Sequence, residues 1–426
     1  MSNRYAMQVL ALMFGINFLN YMDRWVGSAV APLIQTEFGL SDFNVGLLGS
    51  AFTLVYALAA LPFGLWADRG ARRVVIGAGV ALWSVATLVT GLTSNFLQLF
   101  TTRAVLGIGE ASYYPAATSL LGDFFPRKVR GRIMAIWSVG SAFGIAAGFA
   151  GGGLIAARFG WRPAFFVTAA PGLVLAFLAF RVREPLRGAA EAEGPRLARP
   201  RDASLATLFG LLRIPTLRHT ILSQTALWFV LGADAYWLPT LLTRRFGMSV
   251  AEAGTLSGGV IVVGGLVGTL LGGYVADWRR HRSPRADLEV SIAGFVAAAV
   301  LVGLALVAPA AWFVPLFLLA VISIYLYSGP YTAISQNVVV PSLRGSAVTV
   351  TLLIAHLFGD SYAAAAVGLL SDAVGSLQLA LLLVSPGLLL VAAAIAALGL
   401  RTIHDDTVAM DQEWRSRAVL AAGVTS

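Results

Sequence analysis

The sequence predicts an all-α membrane protein: twelve transmembrane helices in two six-helix halves related by an internal repeat. Three observations predict it. Only 12% of the 426 residues are charged, against roughly 25% in soluble domains, while 58% are hydrophobic and the mean hydropathy is +0.79. A soluble protein so apolar could not cover its surface with polar groups. Twelve stretches approach the roughly 20 apolar residues that cross a hydrocarbon core of about 30 Å as a helix. Finally, landmarks of the first six stretches recur, in order, in the second six.

The spans run over 7–34, 44–66, 74–93, 97–121, 132–157 and 163–181, then 216–241, 253–276, 289–309, 312–339, 346–370 and 376–400. Backbone groups in lipid must be bonded within the structure, and runs of this length suit helices rather than barrel strands. Span one carries Asn17, Asn20, Asp23 and Arg24 and has no small-residue cleavage site, so it reads as a retained helix, not a signal peptide. Span four carries Arg103 and Glu110. Span five carries Gly140, Gly144, Gly148, Gly151 and Gly152, a spacing that permits close helix packing. In the second half, Asp234 with Tyr236 and Trp237 falls on span seven, and Tyr325, Tyr327, Tyr331, Gln336 and Asn337 on span ten. His356 and Asp360 lie on span eleven, four apart and so on one helix face. The organisation is therefore an N-terminal half (1–181), a linker rich in Arg, Pro, Ala and Glu (182–215), a C-terminal half (216–400) and a tail (401–426).

The net charge of +9 would by itself permit a nucleic-acid partner, but its placement does not. With the N-terminus inside, the inner loops hold twelve basic residues, from Arg69, Arg72 and Arg73 to Arg344; the outer loops hold four, Arg158, Arg162, Arg244 and Arg245. The positive-inside rule then puts both termini in the cytoplasm, and the expected location is a bacterial inner membrane. Zero cysteines exclude disulfides and thiolate chemistry, and four scattered histidines offer no zinc spacing. There is no phosphate-binding loop and no Ser-His-Asp constellation, so no enzyme, cofactor or metal is expected.

The repeat is explicit. Phe38-Gly39-Leu40-Ser41 with Gly46 recurs as Phe246-Gly247-Met248-Ser249 with Gly254, an offset of 208. Gly64-Leu65-Trp66-Ala67-Asp68 recurs as Gly273-Tyr274-Val275-Ala276-Asp277, Arg130-Gly131 as Arg344-Gly345, and Gly153 and Gly160 as Gly368 and Gly375, at offsets of 209 to 215. Parallel-repeat transporters place their substrate site at the interface of the two copies.

The run Gly64-Leu65-Trp66-Ala67-Asp68-Arg69-Gly70-Ala71-Arg72-Arg73 resembles the loop signature of the major facilitator superfamily, with Ala71 where a second glycine is usual. Asn20-Tyr21-Met22-Asp23-Arg24, Arg103, Gly107-Ile108-Gly109-Glu110-Ala111-Ser112-Tyr113, Asp123-Phe124-Phe125-Pro126, Trp161-Arg162-Pro163-Ala164-Phe165 and Arg183-Glu184-Pro185 resemble the spinster family within it. The resemblance implies a secondary transporter working by alternating access, coupled to protons. Its substrate would be an amphipathic lipid such as a lysophospholipid or a sphingosine-1-phosphate-like molecule; small organic anions or drugs on the same fold are the alternative. The partners implied are that substrate, protons and membrane lipids, with the chain acting as a monomer. It also implies a gate at Gly64, Asp68, Arg69, Arg72 and Arg73 with Asp123, which holds the halves together on the cytoplasmic side. Phe149 stands where drug exporters carry the proline of a glycine-rich motif, which weakens an export reading.

Charge inside a membrane costs at least about 2.5 kcal/mol per residue, so each such residue needs a partner or a task. Arg103 and Glu110 are two turns apart on one face, about 10.5 Å along the axis. Helix rise places Asp23 at a depth between them, so Asp23, Arg103 and Glu110 are expected to cluster, with the two acids competing for one arginine and handing a proton across. Arg24, about 100° round the helix, is expected to face a second partner or a headgroup. Asp234, Tyr331, Asn337, His356 and Asp360 are the candidates for the cavity wall of the second half.

Overall fold

The computed structural model describes residues 3–186, 189–191 and 210–423, and every predicted span within them is helical. α1 (Asn3–Phe38), α2 (Asp42–Arg69) and α3 (Arg72–Thr90) form the first three spans. The fourth is divided into α4 (Phe96–Ala111) and α5 (Tyr113–Phe124), and α6 (Arg127–Phe159) and α7 (Trp161–Phe180) complete the half. The second half begins with α8 (Pro215–Phe246), α9 (Val250–Arg280) and α10 (Ala286–Val307). Span ten is α11 (Ala310–Tyr325) with α12 (Ser328–Asn337); span eleven is α13 (Arg344–Ala355) and α14 (Ser361–Val374), joined through a π-helical turn, His356–Asp360. α15 (Leu377–Gly399) is the last span and α16 (Ile403–Gly423) follows. Most of the linker, 192–209, lies outside the described residues.

Among the described residues, nine helical stretches are long and apolar enough to cross a membrane. Predicted spans one, four and seven fall outside that set. These are the spans that carry Asp23 and Arg24, Arg103 and Glu110, and Asp234. The charged and polar residues they carry lower their hydropathy.

The duplication extends to backbone geometry. Among the described residues, positive φ occurs only at Gly39 (61°), Gly160 (82°), Gly247 (63°) and Gly375 (71°), two repeat-related pairs. Each directly follows a helix, ending α1, α6, α8 and α14. A left-handed φ costs an L-residue about 1–2 kcal/mol, which is why glycine serves there. The interruption of span four is repeated as well. It falls at Ser112, whose amide and hydroxyl both donate to the Gly109 carbonyl at 3.3 and 2.8 Å. Span ten is interrupted at Leu326 and Tyr327, and Tyr327 lies 215 residues beyond Ser112.

Two compact units emerge, and they cut across the chain halves. The first holds α1 to α7 together with Ala233–Val262 and Ser361–Ala380; the second holds the remainder of α8, α9 and the later helices. In the first, the glycines of α6 lie on α1: a Cβ at Gly144 or Gly148 would run into the Phe18 or Met22 carbonyl. That close approach is the packing role of small residues in membranes. Trp83, Tyr113 and Trp137 are buried in the core beside it, where the Trp137 indole donates to the Tyr113 hydroxyl at 2.8 Å and Asn17 donates to the Trp137 carbonyl at 3.0 Å.

Candidate functional site

The charges of spans one and four meet inside the first unit, paired differently from the sequence expectation. Glu110 is bound by Arg24 rather than Arg103: the Arg24 Nη2 and Nε donate to one Glu110 oxygen at 3.0 and 3.2 Å. The separation along α4 accounts for the correction. Arg103 sits two turns away from Glu110, whereas Arg24, turned from Asp23 around α1, faces α4 at the level of Glu110. The Arg24 guanidinium also lies over three aromatic rings, Tyr21, Phe52 and Tyr56, at 4.9, 5.1 and 4.8 Å from their centroids. Arg24 is thus caged by aromatic faces and fixed by one carboxylate. The second Glu110 oxygen has no hydrogen-bond partner among the described residues.

Asp23 and Arg103 are buried without a salt bridge. Asp23 is 1% exposed, and neither carboxylate oxygen has a donor within hydrogen-bond distance; the hydroxyls of Thr87 and Thr168 face it from farther off. Arg103 makes no ion pair among the described residues. Its guanidinium lies 5.2 Å from the Phe52 centroid, and Nη2 donates to the Arg24 carbonyl at 3.5 Å. Gly27 makes room for it, since a Cβ there would come within 3.3 Å of the guanidinium. A closed cavity of about 10 Å³, lined in part by Gly27, Thr90 and Tyr236, borders Arg103. Desolvating charged groups is expensive, so two buried charges with no mutual bond form a site whose protonation or ligation must change its energy.

A second network, which sequence reasoning missed, joins the two repeats at their predicted outer ends. Asp42, at the start of α2, accepts from both Arg244 Nη atoms at 2.8 and 2.5 Å, from Gln35 at 2.7 Å and from the Ser371 hydroxyl at 2.5 Å. Asp372 of α14 caps α2 from the other repeat, accepting from the Asp42 and Phe43 amides at 2.9 Å each. Repeat-related glycines bring the helices together. A Cβ on Gly46 would strike Ala364 of α14, one on Gly368 the Asp42 carbonyl, one on Gly254 the Phe149 carbonyl, and one on Gly153 the Val250 carbonyl. Contacts of α2 on α14 thereby mirror those of α9 on α6. Phe149 also stacks on Trp25 of α1 at 5.0 Å, which gives it a packing task. The glycine repeat was the available signal for this network. Asp42 itself looks like an ordinary first-turn acid, and only the fold reveals its partners.

At the predicted inner end, Arg72 is fully buried and ties three segments of the first half together. It pairs with Asp123, donates to Glu184 at 2.6 Å, and reaches the Ser119 and Pro185 carbonyls at 3.1 and 3.3 Å. Glu184 lies beyond the last span of the half. Burial alone would raise its pKa, but the hydrogen bonds from Arg72 outweigh that and hold it below the ordinary glutamate value. Arg69 and Arg73 are exposed and Gly64 is open to its surroundings. The Asp68 side chain lies outside the described residues.

The five candidates from the C-terminal half separate. Asp234 is buried within the first unit; the other four belong to the second. There Tyr331 is core rather than cavity wall, 2% exposed among Phe295 and Tyr327, with its hydroxyl bonded to that of Ser223 at 2.7 Å. Asn337 is exposed at the end of α12, where the helix has run out of the bundle, and so is not cavity wall either. His356 and Asp360 do pair, Nδ1 lying 3.0 and 3.2 Å from the two carboxylate oxygens. The pair spans the π-helical turn, and Trp228 packs edge-on against the imidazole at 4.3 Å. π-helical turns are rare and frequent at functional sites, so these two residues remain candidates.

Comparison with known proteins agrees with this architecture. The family model described as Major Facilitator Superfamily matches residues 13–363. Protein spinster homolog 1 of Homo sapiens is 31% identical over 383 residues, covering 85% of this chain and 72% of that protein. The protein of the same name from Xenopus tropicalis is 29% identical over 389 residues, 87% and 74% of the respective chains. A crystal structure of a bacterial homologue of the human lysosomal transporter spinster, inward-facing and unoccupied, superposes with a TM-score of 0.88 at 27% identity, over 95% of this chain and 99% of that one. A nucleoside transporter at 14% identity and a TM-score of 0.71 shares the fold alone.

Proposed function

The chain belongs to the major facilitator superfamily, in its spinster family, and from that premise we propose that it moves an amphipathic lipid by proton-coupled alternating access. It is an integral membrane transporter and not an enzyme. One observation carries the reading: Glu110, Asp23 and Arg103 are buried and Arg24 is partly buried, on spans one and four of the same unit, with only one ion pair among them. Arg24 bound to Glu110 is one state of a switch. A substrate phosphate competes for Arg24, and an ammonium group competes for Glu110 and for the ring faces that Arg24 leaves. Glu110, once released, takes a proton rather than remain as a bare buried charge. Asp23 offers a second acid beside it with no donor of its own. The bonded ends at Asp42, Arg244 and Asp372 fit a state closed to the outside, with the inner end giving access from a bacterial cytoplasm. His356 and Asp360 are the candidate pair of the second unit.

Arg103 also favours a second reading. A buried guanidinium without a carboxylate partner suits a small organic anion with no ammonium group. Uptake into proteoliposomes under an imposed pH gradient, with lysolipids competing against organic acids, separates the two. Glu110→Gln and Asp23→Asn should each abolish the pH-driven component of uptake while the protein still folds. Full retention of pH-dependent uptake in both variants would sink the coupling proposal.

A further inference from the structure

We propose that the groove on α10 holds one anionic phospholipid of the cytoplasmic leaflet as a resident lipid, separate from any transported substrate. Ile292, Ala293, Val296, Ala297, Val300 and Leu301, with Leu400 at the end of α15, line an apolar groove of about 810 Å³ in the second unit. The small residues Ala293 and Ala297 form its floor, and both are exposed. From Glu289 to Leu301 the groove follows α10 for about 18 Å, close to the depth of one leaflet of a roughly 30 Å core. One acyl chain fits that length.

The head of the groove is basic. The last turn of α9 and the loop after it carry Arg279, Arg280, His281, Arg282 and Arg285, and two of these arginines are engaged: Arg280 by Asp277 and Asp287, and Arg279 by Glu289 at 2.5 Å. Glu289 also accepts from the Ser283 hydroxyl at 2.8 Å, so the one acid in the groove lining is already compensated. Arg282 and Arg285 are exposed and make no ion pair among the described residues. Arg282 lies over the Trp278 ring at 4.3 Å, and that indole is half exposed, as is usual for tryptophan at headgroup level. Glu289, at the head of the slot, is bonded by Arg279 and Ser283 and lies in the field of Arg285, which ties this basic segment and its exposed Arg282 to an apolar slot about one leaflet long. An acyl chain gains little by leaving bulk lipid for the slot, because both are hydrocarbon. Selectivity must lie in the headgroup, and the exposed Arg282 and Arg285, neither held by a salt bridge among the described residues, select a net negative phosphate ester.

Native mass spectrometry of the full chain released from nanodiscs of mixed phosphatidylglycerol and phosphatidylcholine tests this. The wild type should retain one phosphatidylglycerol at least about tenfold over phosphatidylcholine, since each arginine near a headgroup contributes roughly fivefold. Arg282→Gln with Arg285→Gln should reduce the preference to that of the bulk membrane. Ala293→Leu with Ala297→Leu, which fills the slot and keeps the charges, should also lose the bound lipid. Equal retention of the two lipids by the wild type, or unchanged retention in both variants, overturns the proposal. So does displacement of the bound phosphatidylglycerol by excess lysophosphatidylcholine, which would assign the groove to the transport path.

Discussion

Asp42→Asn should loosen the seal at the predicted outer ends of α1, α2, α8 and α14. The carboxylate accepts four hydrogen bonds there, two of them from Arg244. Hydrogen bonds to charged groups contribute about 1.5–3 kcal/mol each when buried. The Arg244 side chain is 38% exposed, so its two bonds together are discounted toward the 1 kcal/mol or less of a surface pair. Asparagine keeps one acceptor for Gln35 or Ser371, and the loss of the others brings the net effect to about 1–2 kcal/mol. The ratio of closed to open molecules then falls about 5- to 30-fold. Spin labels at Thr36→Cys and Ala373→Cys, both exposed positions, report the separation of α1 from α14 by pulsed dipolar spectroscopy. The chain has no cysteine of its own, so labels attach only where placed. A longer-distance population should grow in Asp42→Asn and in Arg244→Gln, and shrink again in the charge swap Asp42→Arg with Arg244→Asp. Distance distributions identical to wild type in both single variants would refute the reasoning.

Glu184→Gln should lower thermal stability at neutral pH by about 1–3 kcal/mol, the cost of an unmade bond to a buried charge. Because Arg72 holds the folded pKa of Glu184 below 4.5, the contribution is complete above that pH and fades as pH falls through the folded value. Melting curves of variant and wild type should therefore converge in acid, and coincident curves at pH 7 would count against the Arg72 hub. Gly46→Leu and Gly254→Leu should each force mirrored helices apart at an overpacking cost of about 1–3 kcal/mol. Gly46→Leu should enrich the longer distance in the same spin-label assay, and an unchanged distribution would remove the seal from that contact; Gly254→Leu, in the α9–α6 contact, should instead lower the melting temperature, and an unchanged one would count against that packing.

The fold was legible because hydropathy over a full span is a sum, and a sum of about 20 residues tolerates local errors. The glycine matches were legible for a related reason. Gly39 and Gly247 answer a backbone demand that only glycine meets, so both copies of the repeat keep it. Side-chain pairing in the site was harder to read. Asp23, Arg24, Arg103 and Glu110 stood out as charges inside spans, but rise and turn along single helices could not say that Arg24 faces Glu110. That depends on how α1 is rotated within the first unit, where it packs on α6 and α7 while α4 packs on α2 and α3. Asp42 shows the same limit from the other side: its partners lie 202 and 329 residues away in sequence, and no local pattern marks them. Tyr331 and Asn337 were drawn to the cavity wall by polarity alone, and their surroundings assign one to the core and the other to the surface.

The twin interruptions at Ser112 and Tyr327 bear on history as well as mechanics. If the two halves descend from one six-helix ancestor, a kink shared at the same register was in place before the copies diverged. It then predates the asymmetric charges, since the Arg103 and Glu110 pattern of span four has no counterpart in span ten. Substrate chemistry would be a later addition, written into one copy of a scaffold that was already jointed.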